Sequence, residues 1–466
     1  MSGGIGAILI GAIAGAAVAT LPGPAGVALA ATGALLGGAI GARYGERRMS
    51  FSPWSLALGA FAVPALTMAV APGEDMAMHV ALARGLVHGG LSPAWPGVQP
   101  AAYPRGLSAA VALLSPLGFA RAGLLAAAAS YLIFWSGLAA VLQGPLRVPA
   151  ARTVAAVALL LSRTPQVFFD WGGNPTAMAI GLALFGAAQE NPRFAALCLG
   201  GAAATHPMGA CAGALLLALR WRTPAVAAAG GVALAAVLTA LAIWGPHLSP
   251  RETAWLRDYA LHQERVTSGV LGDPANVATA AAAAFLLWKR RFRLVATAAV
   301  AIVGLVALFA LLPYVGLYPV RFAPLLLVAV TPLWAHAGAG RIPLLAPLAL
   351  LAALPGHLRW YQRAEPMATA ADVAAIRCVA RETPASAVID GAYGDATQWI
   401  PALAGRAVTR PHEHVSVFDE VDAALARLPR PAFRFAGERL RYGGAPPEPA
   451  DRRGEPLCSG RLLRLQ

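Results

Sequence analysis

The sequence predicts a polytopic α-helical membrane protein of about 12–14 membrane helices, with a small C-terminal α/β domain outside the membrane. Two observations lead to this prediction. The 466 residues are 58% hydrophobic and only 12% charged, which leaves more apolar surface than a soluble fold of this size can hide. Apolar runs of about 20 residues, the length that crosses a bilayer, recur until about residue 355, and a polar, mixed sequence follows.

Residues 1–50 are predicted to form a glycine-rich pair of helices, with spans at about 3–21 and 24–42. Glycines recur at four-residue intervals in both spans, at Gly11, Gly15, Gly33, Gly37 and Gly41. One face of each helix is therefore nearly bare, so two such helices can approach closely. A ligand role is the less favoured alternative. The first span lacks the basic segment of a cleavable signal peptide, so we expect it to be retained.

Residues 51–358 are predicted to form the main transmembrane region. Its first span, about 52–71, is followed by a polar loop at 72–106. Further apolar segments lie at about 107–119, 122–142, 153–162, 176–188, 194–204, 208–219, 224–244, 276–288, 294–312, 322–338 and 342–355. Three of these segments, 107–119, 122–142 and 153–162, lie between two loops that are predicted to be on the same side of the membrane. A chain that starts and ends on one side crosses the membrane an even number of times. Either 107–119 or 153–162 is therefore re-entrant or merged with a neighbour.

Short arginine-rich loops set the predicted orientation, because such loops stay in the cytoplasm. These loops lie at 43–48, 193, 220–222, 289–293 and 341. The loop at 72–106 and the C-terminal domain, residues 359–466, then face outward from the inner or plasma membrane of a bacterium or archaeon. Many of the cations behind the net charge of +14 cluster at helix ends, which argues against a nucleic-acid partner.

The polar C-terminal region predicts a small α/β domain. ASAVID (385–390) and GRAVTR (405–410) are typical of strands, and DVAAIRCVARE (372–382) is typical of a helix. Cys378 and Cys458 both lie in this region, where they can form a disulfide if the domain is extracytoplasmic.

The loop at 72–106 carries the first candidate site. Glu74 and Asp75 open a predicted helix, and His79 shares a face with Asp75 because four residues make about one turn. An apolar stripe beside them predicts a helix at the membrane surface that holds a carboxylate and an imidazole. Such a pair suits a general base or a divalent metal, Mg²⁺ or Mn²⁺. The alternative is a solvated first turn whose acids complement the helix dipole.

Three further groups at predicted outer helix ends are candidates for substrate binding. FFDWGGNP (168–175) places Asp170, Trp171 and Asn174 at the membrane boundary, where a tryptophan can stack on a sugar. The alternative is a tryptophan that lies at the lipid interface, followed by a turn. His206 interrupts an apolar hairpin, and its alternative role is a hydrogen-bonded turn. Arg321 opens an apolar helix on the side where arginine is uncommon, so it is a candidate for binding a phosphate group. The alternative is an arginine whose side chain extends to the lipid headgroups.

Two stretches resemble a known class of enzyme. The acidic pair followed by HVALARGLVHGG and AAYPRGLSAAVALL resembles the first outer loop of GT-C-fold membrane glycosyltransferases, and especially their uncharacterised prokaryotic relatives. PASAVIDGAYGDATQWIPALAGRAV resembles the region around the WWDYG motif of the oligosaccharyltransferase catalytic subunit. The tryptophans and core order of that motif are absent, and Tyr393, Gly394 and Asp395 are its nearest remnant.

The resemblance implies a GT-C-like fold and a polyprenyl-phosphate-linked sugar that enters from the bilayer as donor. It implies that Asp75, with Glu74 beside it, is the catalytic acid of the loop, and it adds Tyr103 to the substrate-binding candidates. The leading hypothesis is an inverting transfer to an extracytoplasmic glycan, lipid or protein, with Arg321 and His206 stabilising the departing phosphate. The alternatives are a multi-pass transporter or flippase of an envelope precursor and a non-catalytic envelope assembly protein.

Overall fold

The structure is a computed structural model in which helices dominate and a small sheet lies near the C-terminus. It describes residues 2–19, 24–45, 68–88, 105–142, 148–152, 154–155, 162, 173–219, 224–244, 249–251, 254, 258, 273, 275–311, 323–338, 368–392, 394–411, 423, 425–438 and 454–465. Most of the predicted spans 52–71 and 153–162, and all of 342–355, lie outside these ranges.

The first part of the chain is built mainly of helices. They are α1 Ser2–Ala19, α2 Pro24–Tyr44, α3 Glu74–His88, α4 Gly106–Leu114, α5 Phe119–Val141, α6 Asn174–Ala188, α7 Pro192–Thr205 and α8 Pro207–Leu219. They continue with α9 Pro224–Trp244, α10 Ala275–Trp288, α11 Phe292–Leu311 and α12 Ala323–Ala337. The bounds of α6 to α12 follow the apolar segments predicted from the sequence within a few residues.

Helices α1 and α2 pack antiparallel along their glycine faces. A Cβ atom on Gly15 would lie 2.0 Å from the carbonyl oxygen of Gly33, and one on Gly11 would lie 2.1 Å from that of Gly37. No side chain fits between backbones this close, which confirms the predicted packing role of these glycines. Helix α1 also packs against α4 and α7, so the hairpin belongs to the helical bundle.

Helices α5 and α6 pack side by side and run in the same direction. Gly181 of α6 lies against Ile133 and Phe134 of α5, and Gly137 of α5 lies against Gly181 and Leu184 of α6. The contacts therefore advance along both helices together.

Helix α4 is shorter than a membrane crossing. It has nine residues and continues into a 3₁₀ turn at Ser115–Leu117. A helix of nine residues rises about 14 Å, less than half of the roughly 30 Å of a bilayer core. The choice between 107–119 and 153–162 as the re-entrant segment stays a prediction, because most of 153–162 lies outside the described residues.

The outer faces of several helices are apolar. Two described helical stretches, Ala25–Tyr44 and Phe119–Val141, are long and apolar enough to cross a membrane, judged by length and composition. Large apolar side chains are exposed on α2, α9, α10 and α11, namely Leu35, Leu36, Val232, Val277, Trp288, Val300 and Val303. Extended exposed apolar surface is typical of a protein that meets lipid or a partner.

The C-terminal domain is a five-stranded sheet with helix α13 Ala370–Glu382 and the short helix α14 Ile400–Ala404. Its strands are β1 Val388–Asp390, β2 Ala407–Val408, β3 Phe433–Phe435, β4 Gly454–Leu457 and β5 Leu462–Leu465, in the spatial order β2-β1-β3-β5-β4. Strand β1 pairs in parallel with β2 and β3, whereas β5 pairs antiparallel with β3 and β4. The predicted strands and helix of this region are confirmed at β1, β2 and α13.

A disulfide and hydrogen bonds from Arg406 hold α13 against the sheet. A disulfide joins Cys378 of α13 to Cys458 in the turn between β4 and β5, with the two Cα atoms 5.5 Å apart. Arg406, directly before β2, donates from Nη2 to the carbonyl oxygens of Ala380 and Thr383, each at 2.8 Å. A cation thus caps the C-terminus of α13, where the helix dipole favours positive charge.

The C-terminal domain packs on α3 through α14 and the 3₁₀ turn Ala396–Trp399. The Nη1 atom of Arg84 lies 3.4 Å from the carbonyl oxygen of Leu403, a residue 319 positions further along the chain. A Cβ atom on Gly405 would lie 2.8 Å from Nε of Arg84, and the same guanidinium lies 5.4 Å from the ring centre of Phe119. Arg84 therefore joins α3, α5 and the C-terminal domain.

Candidate functional site

Helix α3, which carries the predicted catalytic acid, is buried on almost every side. Met76, His79, Val80 and Ala83 are at most 1% exposed, and Asp75 is half-buried. This differs from the predicted helix at a membrane surface, and the half-buried Asp75 also differs from the alternative of a solvated first turn. The reason is that α2, α4, α5 and the C-terminal domain all pack around α3.

The imidazole of His79 contacts the first turn of α4. Its Nδ1 atom lies 3.5 Å from Oγ of Ser108, and both side chains are buried. Asp75 precedes His79 by one helical turn, so the carboxylate and the imidazole stand on the same side of α3. The start of α3 is thus directed toward the start of α4.

The first residue of α4 contacts the last residue of α7. A Cβ atom on Gly106 would lie 2.1 Å from Oγ1 of Thr205, so a larger residue does not fit there. The next residue, His206, is buried, and its Nδ1 accepts a hydrogen bond of 3.1 Å from the backbone N–H of Met208. Because Nδ1 is the acceptor, a neutral His206 carries its proton on Nε2 and can donate it.

The first turn of α6 lies at the same end of the bundle. Gly209 of α8 packs between Ala202 of α7 and Ala179 of α6, and the short link from α6 to α7 makes these two helices antiparallel. Asn174 and Thr176 are fully buried in that first turn. Neither the two amide atoms of Asn174 nor Oγ1 of Thr176 has a hydrogen-bond partner within the described ranges.

Arg105 stands directly before α4 and is a buried cation. The residue is 9% exposed, and neither Nη1 nor Nη2 has a partner in the described part of the chain. Burial lowers the pKa of Arg105 to about 10, which leaves the guanidinium charged at neutral pH. We use the name polar end for the group formed by Asp75, His79, Arg105, Asn174, Thr176 and His206.

Arginines and a tyrosine gather at the opposite end of α7. The guanidinium carbons of Arg43 and Arg193 lie 5.5 and 5.1 Å from the ring centre of Tyr44. Arg193 also donates from Nη1 to the hydroxyl of Tyr44 at 2.5 Å. Arg193 begins α7 and His206 follows it, so about 20 Å separates this basic end from the polar end.

Asp75 and His79 are the predicted metal ligands. Within the residues that the structure describes, no three His, Cys, Asp or Glu side chains gather into a group that could hold a metal ion. The described side chains of α3 offer Asp75 and His79 as ligands. A divalent ion bound there would need further oxygen ligands, such as those of a substrate phosphate.

The segment that resembles the WWDYG region supplies both a structural link and buried polar groups. Asp395 accepts hydrogen bonds from the backbone N–H groups of Thr397 at 2.8 Å and Gly437 at 3.1 Å. Burial raises the pKa of Asp395, and these hydrogen bonds oppose the rise. Gln398 and Trp399 follow in the turn that packs on α3, and their side-chain polar atoms have no hydrogen-bond partner among the described residues.

The structure brings four of the predicted site residues to the polar end: Asp75, His79, Asn174 and His206. Glu74 is the first residue of α3, and the other predicted binding residues, Arg321, Asp170, Trp171 and Tyr103, lie outside the described residues. The prediction missed Arg105, Ser108 and Thr176. Arg105 had a recognisable signal, because it opens an apolar helix on the predicted outer side, the same pattern that singled out Arg321.

Comparison with protein families, with curated proteins and with solved structures finds no match for this chain.

Proposed function

We propose that this chain is a GT-C-like membrane glycosyltransferase that moves a sugar from a polyprenyl-phosphate-linked donor to an extracytoplasmic glycan, lipid or protein, with inversion at the sugar carbon. One observation carries the proposal. His79 of α3 lies against Ser108 in the first turn of α4, and Thr205, the residue before His206, lies against Gly106 at the start of α4, while the C-terminal domain packs on α3. A carboxylate and imidazoles in a buried, polar recess are the groups that acid–base transfer requires.

The two ends of the bundle support a multi-pass arrangement in an inner or plasma membrane. Arg43 and Arg193 lie at one end, as expected for the cytoplasmic side, and the polar end then faces outward. Helices α6 and α7 have 15 and 14 residues, fewer than the roughly 20 that cross a bilayer. The polar end is therefore recessed below the outer surface, at a depth that a lipid-linked substrate can reach from the side.

The reaction forms one bond and breaks one bond. The oxygen of an acceptor hydroxyl bonds to the anomeric carbon of the sugar, and the bond from that carbon to the phosphate oxygen breaks. The polyprenyl phosphate leaves with the electron pair. Asp75 accepts the hydroxyl proton as general base, and His206 donates a hydrogen bond from Nε2 to the departing phosphate. The C-terminal domain covers α3 and helps to bind the acceptor.

The test is transfer of radiolabelled sugar in proteoliposomes that contain a mixed pool of polyprenyl-phosphate sugars and an acceptor extract. Asp75→Asn should lower transfer at least about 100-fold, because a lost general base typically costs that much or more. Glu190→Gln is the matched control, since it removes an exposed carboxylate in the turn between α6 and α7 at the basic end. Transfer by Asp75→Asn at the wild-type rate would contradict the assignment, and movement of the lipid without transfer would favour a flippase.

A further inference from the structure

The guanidinium of Arg105 has no described partner in a place where a charge is costly. A buried, unpaired ion costs roughly several kcal/mol, and folded proteins usually pair such groups with an opposite charge or a ligand. Arg105 also stands at the N-terminus of α4, where the helix dipole adds positive potential instead of offsetting it. Both effects favour an anion at this position.

The nearby sequence offers few carboxylates for this role. The stretch 89–104, directly before Arg105, contains no Asp or Glu. The stretch 163–172, which leads into α6, contains one acid, Asp170. In the described part of the chain, no carboxylate pairs with Arg105. In these two stretches, Asp170 is therefore the acid that competes with an external anion for Arg105.

Asn174 and Thr176 extend the site with neutral groups. Both are 0% exposed, and their amide and hydroxyl atoms have no described hydrogen-bond partner. They open α6, whose first N–H groups also lack helical acceptors and favour an anion. The contact of Gly106 with Thr205 brings Arg105 to the end of α7, which is level with the start of α6.

We propose that Arg105 binds a phosphate group at the polar end and that Asn174 and Thr176 hydrogen-bond the phosphate or the hydroxyl groups attached to it. The ligand class is a phosphate ester, and the proposed function identifies it as the donor and the polyprenyl phosphate that leaves. This identification rests on the proposed function, whereas binding of the phosphate itself does not require that any sugar is transferred. Arg321, the phosphate ligand predicted from the sequence, lies outside the described residues, and its role stays a prediction.

The experiment measures binding to the full-length protein in lipid nanodiscs, with a polyprenyl monophosphate, the uncharged polyprenol of equal length and inorganic phosphate as probes. Wild type should bind the polyprenyl monophosphate and not the polyprenol. Arg105→Met should weaken that binding about 10- to 100-fold, the range expected for loss of a charge-assisted hydrogen bond. Arg121→Met is the matched control, because Arg121 is an exposed arginine near the start of α5, and it should bind as wild type does.

Stability without ligand separates a ligand site from a structural ion pair. If Arg105 and Asn174 bind a phosphate ligand and no other part of the chain, Arg105→Met and Asn174→Leu should leave the unfolding temperature of the ligand-free protein unchanged or raise it. Both variants should reduce the rise in unfolding temperature that the polyprenyl monophosphate causes. A ligand-free Arg105→Met protein that unfolds at a lower temperature, together with rescue by Asp170→Asn, would overturn the proposal in favour of an Arg105–Asp170 pair.

The remaining outcomes distinguish a lipid phosphate from a free phosphate. They also distinguish the phosphate site from the glycosyltransferase assignment. Inorganic phosphate that binds as tightly as the lipid, in an Arg105-dependent way, would support the phosphate site and assign it to a free anion. Equal binding of polyprenol and polyprenyl monophosphate would overturn the site. Wild-type protein that binds the polyprenyl monophosphate but transfers no sugar would remove the glycosyltransferase assignment and keep the phosphate site.

Discussion

The C-terminal domain and the polar end both bury ionic side chains, but they differ in whether those side chains have partners within the described chain. In the domain, Asp372 is fully buried, pairs with Arg461 at 2.9 Å and accepts the backbone N–H groups of Thr369 and Glu438 at 3.0 Å each. At the polar end, Arg105 is buried with two nitrogens that have no described partner. The partners of Asp372 all belong to the chain. For Arg105 we propose that the partner is a bound phosphate.

This difference separates structural from functional polar residues without reference to any related protein. A buried group whose hydrogen bonds are all made adds to stability, and its loss leaves its partners unpaired. A buried group with unmade hydrogen bonds costs stability, and a bound ligand is one of the partners that can satisfy it. Four substitutions test this distinction, and they run from a large loss of stability to none.

Asp372→Ala should lower the free energy of unfolding of the C-terminal domain by about 3 kcal/mol, because it removes the acceptor of two backbone N–H groups and leaves Arg461 with Glu438 alone as a carboxylate partner. Chemical denaturation of the detergent-solubilised protein, followed by a probe on the domain, measures the change. Glu455→Ala is the control, since Glu455 pairs with Arg464 at 2.8 Å in an exposed position. An exposed pair contributes roughly 0–1 kcal/mol, so equal losses in the two variants would contradict the comparison.

Arg406→Met should cost about 2 kcal/mol in the same measurement. The substitution keeps an apolar stem and removes hydrogen bonds from the guanidinium to Thr383, Ala380 and Ala404. Arg377→Met, an exposed substitution on α13, should change stability by less than about 0.5 kcal/mol. An Arg406→Met protein as stable as the Arg377→Met control would show that the capping of α13 is unimportant.

Arg84→Met should weaken the contact between α3 and the C-terminal domain by about 1 kcal/mol, since it removes a long hydrogen bond and a cation–π contact. Hydrogen–deuterium exchange should then rise in α14 and in the first turn of α5, and remain unchanged in the sheet. Faster exchange throughout the sheet would mean that Arg84 supports the folding of the domain and not its position on α3.

Thr176→Val should have the smallest effect and leave the ligand-free protein as stable as wild type, or up to about 1 kcal/mol more stable. Valine has the shape of threonine, and the hydroxyl that it replaces has no described partner. The unfolding temperature without ligand measures this change. A loss above about 1 kcal/mol would show that Thr176 has a structural partner after all.

Local pattern was enough to predict parts of the fold. The glycines of α1 and α2 predict their own contact, because a helix face without side chains can be packed only by another backbone at close range. Strands β1 and β2 and helix α13 have clear periodic patterns and lie where expected. Strands β3 to β5 escaped prediction because they are three or four residues long and include charged residues and a proline, as in Phe433–Phe435 and Gly454–Leu457.

The environment of the candidate site could be predicted only in part. Asp75 and His79 are recognisable from their spacing, but the burial of α3 depends on α14, which follows more than 300 residues later. Arg105 fits the pattern of an outward arginine before an apolar helix, and only its burial distinguishes it from an arginine that reaches to lipid headgroups. Segment 107–119 has the composition of a membrane span, but its helix α4 has only nine residues, a length that the composition does not reveal.

The most direct test of the account is a cryo-electron microscopy structure of the protein in nanodiscs with bound polyprenyl monophosphate. We expect the phosphate at the polar end, within hydrogen-bond distance of Arg105 and on the same side of α4 as Asp75 and His79. The phosphate bound elsewhere, with Arg105 paired to a carboxylate of the chain, would contradict the account.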